Sequence, residues 1–74
     1  MFYNKKMENL KKIIASNLRQ QRAKYKISQE KLAELTGISQ QFICSIETEK
    51  ANPSVEVMVK IADALNITLN DLVY

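Results

Sequence analysis

Residues 28–48 read Ser-Gln-Glu-Lys-Leu-Ala-Glu-Leu-Thr-Gly-Ile-Ser-Gln-Gln-Phe-Ile-Cys-Ser-Ile-Glu-Thr. The stretch predicts two short helices joined by a tight turn. Ser28 is a good N-cap for the first of them, with Glu30 near the positive end of its dipole. Leu32, Ala33 and Leu35 are its expected inward residues, and Ala33 is small where two helices must cross closely. Gly37 ends that helix at a position that wants a left-handed conformation. Ile38 then fills the corner, and Ser39 caps the next helix.

The second of these helices has two unlike faces. At 3.6 residues per turn, Gln40, Gln41, Cys44, Ser45 and Thr48 fall within an arc of roughly 140°. Phe42, Ile43, Ile46 and Glu49 lie across from them. The polar stripe has short or flexible hydrogen-bonding side chains and no carboxylate, as a surface that meets phosphodiester requires. A helix, a turn and a second helix of this shape fit the geometry of major-groove reading.

Outward from this core the pattern stays helical. A first helix is expected from about Met7 to Lys24, with Met7, Leu10, Ile14, Leu18 and Tyr25 on one stripe. Residues 1–6 are expected to form an arm, with Phe2 and Tyr3 as packing groups. Asn52-Pro53-Ser54 reads as a loop followed by an N-cap. A fourth helix over about 55–65 should bury Met58, Ile61, Ala62 and Leu65, with Asn66 as its stop. Thr68-Leu69-Asn70-Asp71 matches a capping box and opens a short fifth helix with Leu69, Leu72 and Val73 inward. The expectation is an all-α fold, a compact five-helix domain with a helix-turn-helix formed by helices 2 and 3. Residues 1–12 make the arm and the start of helix 1, residues 13–74 the domain, and 29–48 the helix-turn-helix.

Composition narrows the function classes. The chain has 74 residues, 46% hydrophobic, with one Gly, one Pro and no His. That length suits one small globular domain, and no additional ligand-binding or protease-sensitive unit is expected after the five helices. No apolar run reaches the ~18 residues of a membrane span. The first residues lack an apolar signal core, so a cytoplasmic location is expected. The single Cys44 forms no internal disulfide, which suits a reducing compartment. One Cys without His excludes the usual zinc spacings, and no cofactor or metal is expected. No nucleophile–base pairing or Gly-rich phosphate loop suggests an enzyme. The net charge is +3 but unevenly placed. Residues 1–31 carry nine basic against two acidic side chains, a local +7, and residues 32–74 carry two against six, a local −4. Such a dipolar chain can turn one side to phosphates, although a solvated basic helix face accounts for the same charges.

From about Ile14 to Tyr74 the chain resembles the phage-repressor/Cro family of helix-turn-helix domains, called XRE-type. The carrying residues are Arg22, Ser28-Gln29-Glu30-Lys31-Leu32-Ala33, Gly37, Ser39-Gln40-Gln41, Ile43, Ile46-Glu47, Asn52-Pro53-Ser54 and Ile61-Ala62-Asp63-Ala64-Leu65. Their order and spacing together are specific. The resemblance implies a five-helix regulator that binds double-stranded operator DNA, as a symmetric homodimer on inverted half-sites. It implies that Gln29 touches a phosphate and buttresses the recognition helix, residues 39–49. It places Gln40, Gln41 and Ser45 at base-contacting positions, with Ser39, Cys44 and Thr48 around them. Gln suits bidentate pairing with adenine N6 and N7. Lys50 and Asn52 fall in a loop that resembles the family's phosphate clamp, and the helix N-terminus at Ser54 can add backbone N–H groups. Arg22 and Glu47 could serve as DNA and partner contacts, but the family arrangement implies an internal salt bridge between them, and that is the expectation. Two positions depart from the family pattern: Glu49 and Lys26 stand where Gly is frequent.

Several groups keep two readings. Lys5, Lys6, Lys11 and Lys12 form either a DNA-binding arm or a solvated helix face. Leu69, Val73 and Tyr74 form either a dimer seam or frayed core. Gln20 and Gln21 read as surface, and Cys44 as a plain small residue at the groove margin. The alternative function is an antitoxin-like or adaptor module that uses the same fold to bind a separate protein partner. No membrane partner is expected.

Overall fold

The computed structural model describes the backbone of residues 2–74 and the side chains of residues 9–74. Five helices follow in order: α1 Phe2–Tyr25, α2 Gln29–Thr36, α3 Gln40–Glu47, α4 Val55–Leu65 and α5 Asn70–Val73. Among the described residues there is no strand. α1 packs on α3, α4 and α5, and α2 packs on α3 and α4. At 1.5 Å per residue α1 spans about 36 Å, and it sets the long axis of a 38 × 22 × 20 Å molecule.

All five helices contribute to one core. Leu18, Leu32, Ile43, Ile46, Ile61 and Leu72 are its fully buried large side chains. Met58, Ala62 and Leu65 complete the expected face of α4. Leu69, Val73, Ile38 and Phe42 pack partly buried against this core. Tyr74 is 90% exposed, so it is not core. A side-chain bond from Asn17 Nδ2 to the Leu72 carbonyl (2.9 Å) ties α1 to α5.

The caps are those the residues specify. Ser28, Ser39 and Ser54 accept from the N–H groups of Lys31, Phe42 and Val57. Thr68 and Asp71 exchange reciprocal side chain–main chain bonds at the start of α5. Gly37 ends α2 with φ 76° and donates to the Ala33 carbonyl. Thr36 Oγ1 donates to the Leu32 carbonyl and accepts from the Ile38 N–H, which stiffens the turn into α3.

The ends of α1, α3 and α4 use left-handed residues that are not glycine: Lys26 (φ 57°), Glu49 (φ 65°) and Asn66 (φ 56°). Each sits in a Schellman motif, in which two amides beyond the helix reach back to its last carbonyls. At α1 these are Ile27 N–H to Arg22 O and Lys26 N–H to Ala23 O. At α3 they are Lys50 N–H to Ser45 O and Glu49 N–H to Ile46 O. Glu49 therefore lies past the helix rather than on its inner face, and α3 ends at Glu47, two residues short of the expected 49.

Five further expectations are corrected. α1 begins at Phe2, so residues 2–6 continue the helix instead of forming an arm. Leu10 is exposed because it precedes the first core contact, at Ile14, by a full turn. Tyr25 is exposed because the left-handed Lys26 turns the chain and Ile27 takes the core position in its place. Leu35 is exposed because the inner face of α2 is filled by Leu32 and Ala33. Gln21 is half-buried, with an Oε1 that has no partner among the described residues. The expected roles of Met7, Phe2, Tyr3, Lys5 and Lys6 lie outside the described side chains.

Candidate nucleic-acid interface

The interface is built on a buried carboxylate. Glu47, at the end of α3, is 4% exposed. Arg22 of α1 grips it with two donors, Nε to Oε2 at 2.6 Å and Nη2 to Oε1 at 2.8 Å. The fork geometry of guanidinium matches a carboxylate in this bidentate form. The third donor direction, Nη1, goes to the Ile27 carbonyl at 2.9 Å. Gln29 Nε2, from the first turn of α2, adds a bond to Glu47 Oε1 at 2.9 Å. One carboxylate thus joins α1, α2 and α3. Burial opposes its ionisation, but hydrogen bonds from Arg22 and Gln29 and the charges of Arg22 and Arg19 outweigh burial, so it titrates below its ordinary value. The hydrogen bond to Glu47 also raises the pKa of Arg22, against the smaller effect of burial. The salt bridge expected between Arg22 and Glu47 is present; the Gln29 bond to Glu47 gives the buttress its physical form.

Above this support lies a concavity of about 460 Å³ lined by Gln29, Gln40, Gln41, Cys44, Ser45, Thr48 and Lys50. It brings together seven of the nine residues expected at the interface, from α2, α3 and the loop after α3. No carboxylate lines it. Ser39 and Asn52 stay outside the lining. Ser39 is spent as the α3 cap, and Asn52 is exposed in the loop before α4.

The lining has a definite hydrogen-bonding character. Ser45 Oγ donates to the Gln41 carbonyl at 3.0 Å, and Thr48 Oγ1 donates to the Cys44 carbonyl at 2.9 Å. With their protons committed to the helix, these hydroxyls offer lone pairs outward. Gln40 and Gln41 are exposed, and neither amide has an intramolecular partner among the described residues. Each can give and accept at once, as adenine's N7 and N6 require. Lys50 supplies an exposed cation at the rim. Cys44 is an exposed free thiol.

Arg19 was not singled out from the sequence. Its Nη1 donates to the main-chain oxygen of Glu47 at 2.6 Å. The signal for it was the spacing of three from Arg22, which puts both guanidinium groups on one side of α1. Among the described residues no group of three or more His, Cys, Asp or Glu is placed to hold a metal ion. No described helix is long and apolar enough to cross a membrane.

Comparison with known proteins agrees with this geometry. A helix-turn-helix family model matches residues 18–72. The control protein C.SmaI of Serratia marcescens is 34% identical over 64 residues, covering 86% of this chain and 76% of that protein. The transcriptional regulator SutR of Escherichia coli is 34% identical over 67 residues, 90% of this chain but only 38% of that protein. Among solved structures, the restriction-modification controller C.AhdI of Aeromonas hydrophila superposes with a TM-score of 0.81 at 31% identity, covering 84% of this chain and 94% of that one.

Proposed function

The chain belongs to the helix-turn-helix family of DNA-binding transcriptional regulators, and from that premise we propose that it reads a specific double-stranded operator with α3 in the major groove. The convergence of Gln29, Gln40, Gln41, Cys44, Ser45, Thr48 and Lys50 on one carboxylate-free concavity carries this reading. Gln40, Gln41 and Ser45 meet base edges, with Cys44 and Thr48 beside them. Gln29, Lys50, Asn52 and the N–H groups at the Ser54-capped end of α4 fix register on phosphates. Ser39 contributes by holding the start of α3 in place. The operator-bound form is a homodimer, and occupancy of the site blocks or recruits polymerase.

The Arg22–Glu47–Gln29 network supports the reading in a second way. It couples the reading helix rigidly to two neighbours, so that its side chains meet the groove preorganised. The test is selection from a randomised duplex pool at rising salt. A palindromic motif that survives competitor DNA is the expected result. Binding that vanishes with salt and enriches no sequence is phosphate attraction alone, and would transfer the case to a protein-binding module.

A further inference from the structure

The main-chain oxygen of Glu47 is an acceptor that α3 itself leaves unpaired. In a continued helix the Ala51 N–H would reach it. Here Ala51 N–H goes to the Ser45 carbonyl at 3.1 Å, alongside Lys50 N–H at 2.8 Å, and Glu49 N–H goes to Ile46. The last carbonyls of a helix need an outside donor. Among the described residues, Glu47 O finds one in Arg19, at 2.6 Å. A guanidinium there also complements the negative end of the helix dipole.

Glu47 is therefore held at both ends from one helix. Arg22 takes its carboxylate and Arg19 its carbonyl. The next residues in the chain are Thr48, Glu49 and Lys50, and both Thr48 and Lys50 line the concavity. The point at which the chain leaves α3 sets how far the Lys50 ammonium stands from the amides of Gln40 and Gln41. A loose helix end would let the cation and the reading side chains move independently.

We propose that Arg19 is a positioning residue for DNA reading, which fixes Thr48 and Lys50 in register with Gln40 and Gln41 by clamping the Glu47 carbonyl. This rests on α3 being the base-reading helix.

The test compares wild type, Arg19→Met and Arg19→Lys for binding to the selected operator and to random duplex, across a salt series. Met keeps the packing of the stem and removes the donor; Lys keeps a donor and the charge. The expected result for Arg19→Met is a fall of about tenfold in the specific-to-random affinity ratio, the scale of one charge-assisted hydrogen bond. The salt slope stays unchanged, and Arg19→Lys recovers most of the ratio. An unchanged ratio with a slope reduced by about one makes Arg19 a phosphate contact and overturns the proposal. An unchanged ratio and slope overturn it equally. Amide hydrogen exchange on the free protein gives a readout that needs no DNA. Arg19→Met should speed exchange at Glu49, Lys50 and Ala51 while leaving Ile43 unchanged; no change there means that the clamp does not exist. If wild type itself enriches no sequence, the base-reading assignment fails and the DNA role of Arg19 fails with it. The exchange result then tells that failure apart from failure of the clamp.

Discussion

Glu47 places a negative charge where almost no water reaches it, and the chain around it is arranged to keep that charge. Removing one partner of a buried pair leaves the other uncompensated, which costs about 3–5 kcal/mol. Arg22→Met should lower stability by that amount, a large fraction of the roughly 4–11 kcal/mol available to a domain of this size. Urea denaturation measures it, and a loss below about 1 kcal/mol would reduce the pair to the rank of a surface salt bridge. The pH dependence has a fixed sign. Because the folded pKa of Glu47 is lowered, its contribution is complete above the ordinary glutamate value, about 4.3. It is lost as pH falls through the lower folded value. A Glu47→Gln variant should lose this acid-sensitive component while the wild type keeps it.

The reading residues have their own signature. Gln41→Ala should cost about 1–3 kcal/mol at one base position and relax specificity there, with the salt slope intact. Lys50→Ala should weaken all duplexes alike and reduce the slope by about one. Titration of both variants against single-base operator variants separates the two kinds of contact. If Gln41→Ala weakens every sequence equally, Gln41 is not reading a base. Helical periodicity made Gln41 legible as part of a stripe with Gln40, Cys44, Ser45 and Thr48, whereas its base-reading role and the place of Lys50 came from the family resemblance. Arg19 was not legible, because its partner is a main-chain oxygen whose need for a donor depends on how α3 ends, and side-chain chemistry carries no mark of that.

At the scale of elements, the starts of α2 to α5 were legible, while the start of α1 and some of the ends were not. Ser28, Ser39, Ser54 and the Thr68–Asp71 pair cap where their residue types say they should, because an N-cap is a side-chain event. A C-terminal end is a backbone event, and with one glycine in the chain most ends had to use other residues. Lys26 and Glu49 mark such ends only by standing where a glycine was expected. The exposure of Leu10, Tyr25 and Leu35 has the same origin: periodicity gives the face of a helix but not how much of its length a neighbour covers. The left-handed conformation costs an L-residue about 1–2 kcal/mol. Glu49→Gly should therefore raise stability by about 1 kcal/mol, read as a higher urea midpoint at constant slope. It also removes a carboxylate next to Lys50, so affinity for random duplex should rise in parallel. Glu49→Gln separates the two effects, since it keeps the strain and loses the charge. A Glu49→Gly protein no more stable than wild type would mean that the loop, and not the left-handed residue, sets the energy of this helix end.

On the scale of the whole molecule, charge and shape act together. The +7 of residues 1–31 lies largely on α1 and the start of α2, and the −4 of residues 32–74 on the remainder. The positive part includes Arg19 and Arg22, which support the reading helix from behind, so attraction to phosphate and placement of α3 come from the same element. One protomer offers a single reading helix about two turns long, enough for a half-site and too little for a full operator. In the homodimer we propose, a second protomer related by a two-fold axis would supply the other half, with reading helices about 34 Å apart, one turn of DNA. Of the three residues expected to form such a seam, Tyr74, just past α5, is the one left exposed, while Leu69 and Val73 lean on the core. The consequence is a dependence on spacing that a monomer lacks. Inserting about half a helical turn, roughly 5 base pairs, between the half-sites rotates them to opposite faces of the duplex. Affinity should then drop to that of one half-site, and a full-turn insertion should restore part of it. Sedimentation on the unaltered operator should show two protomers per duplex. One protomer at saturation, or indifference to the half-turn insertion, would mean that each α3 reads alone and that Tyr74 faces solvent in the working form.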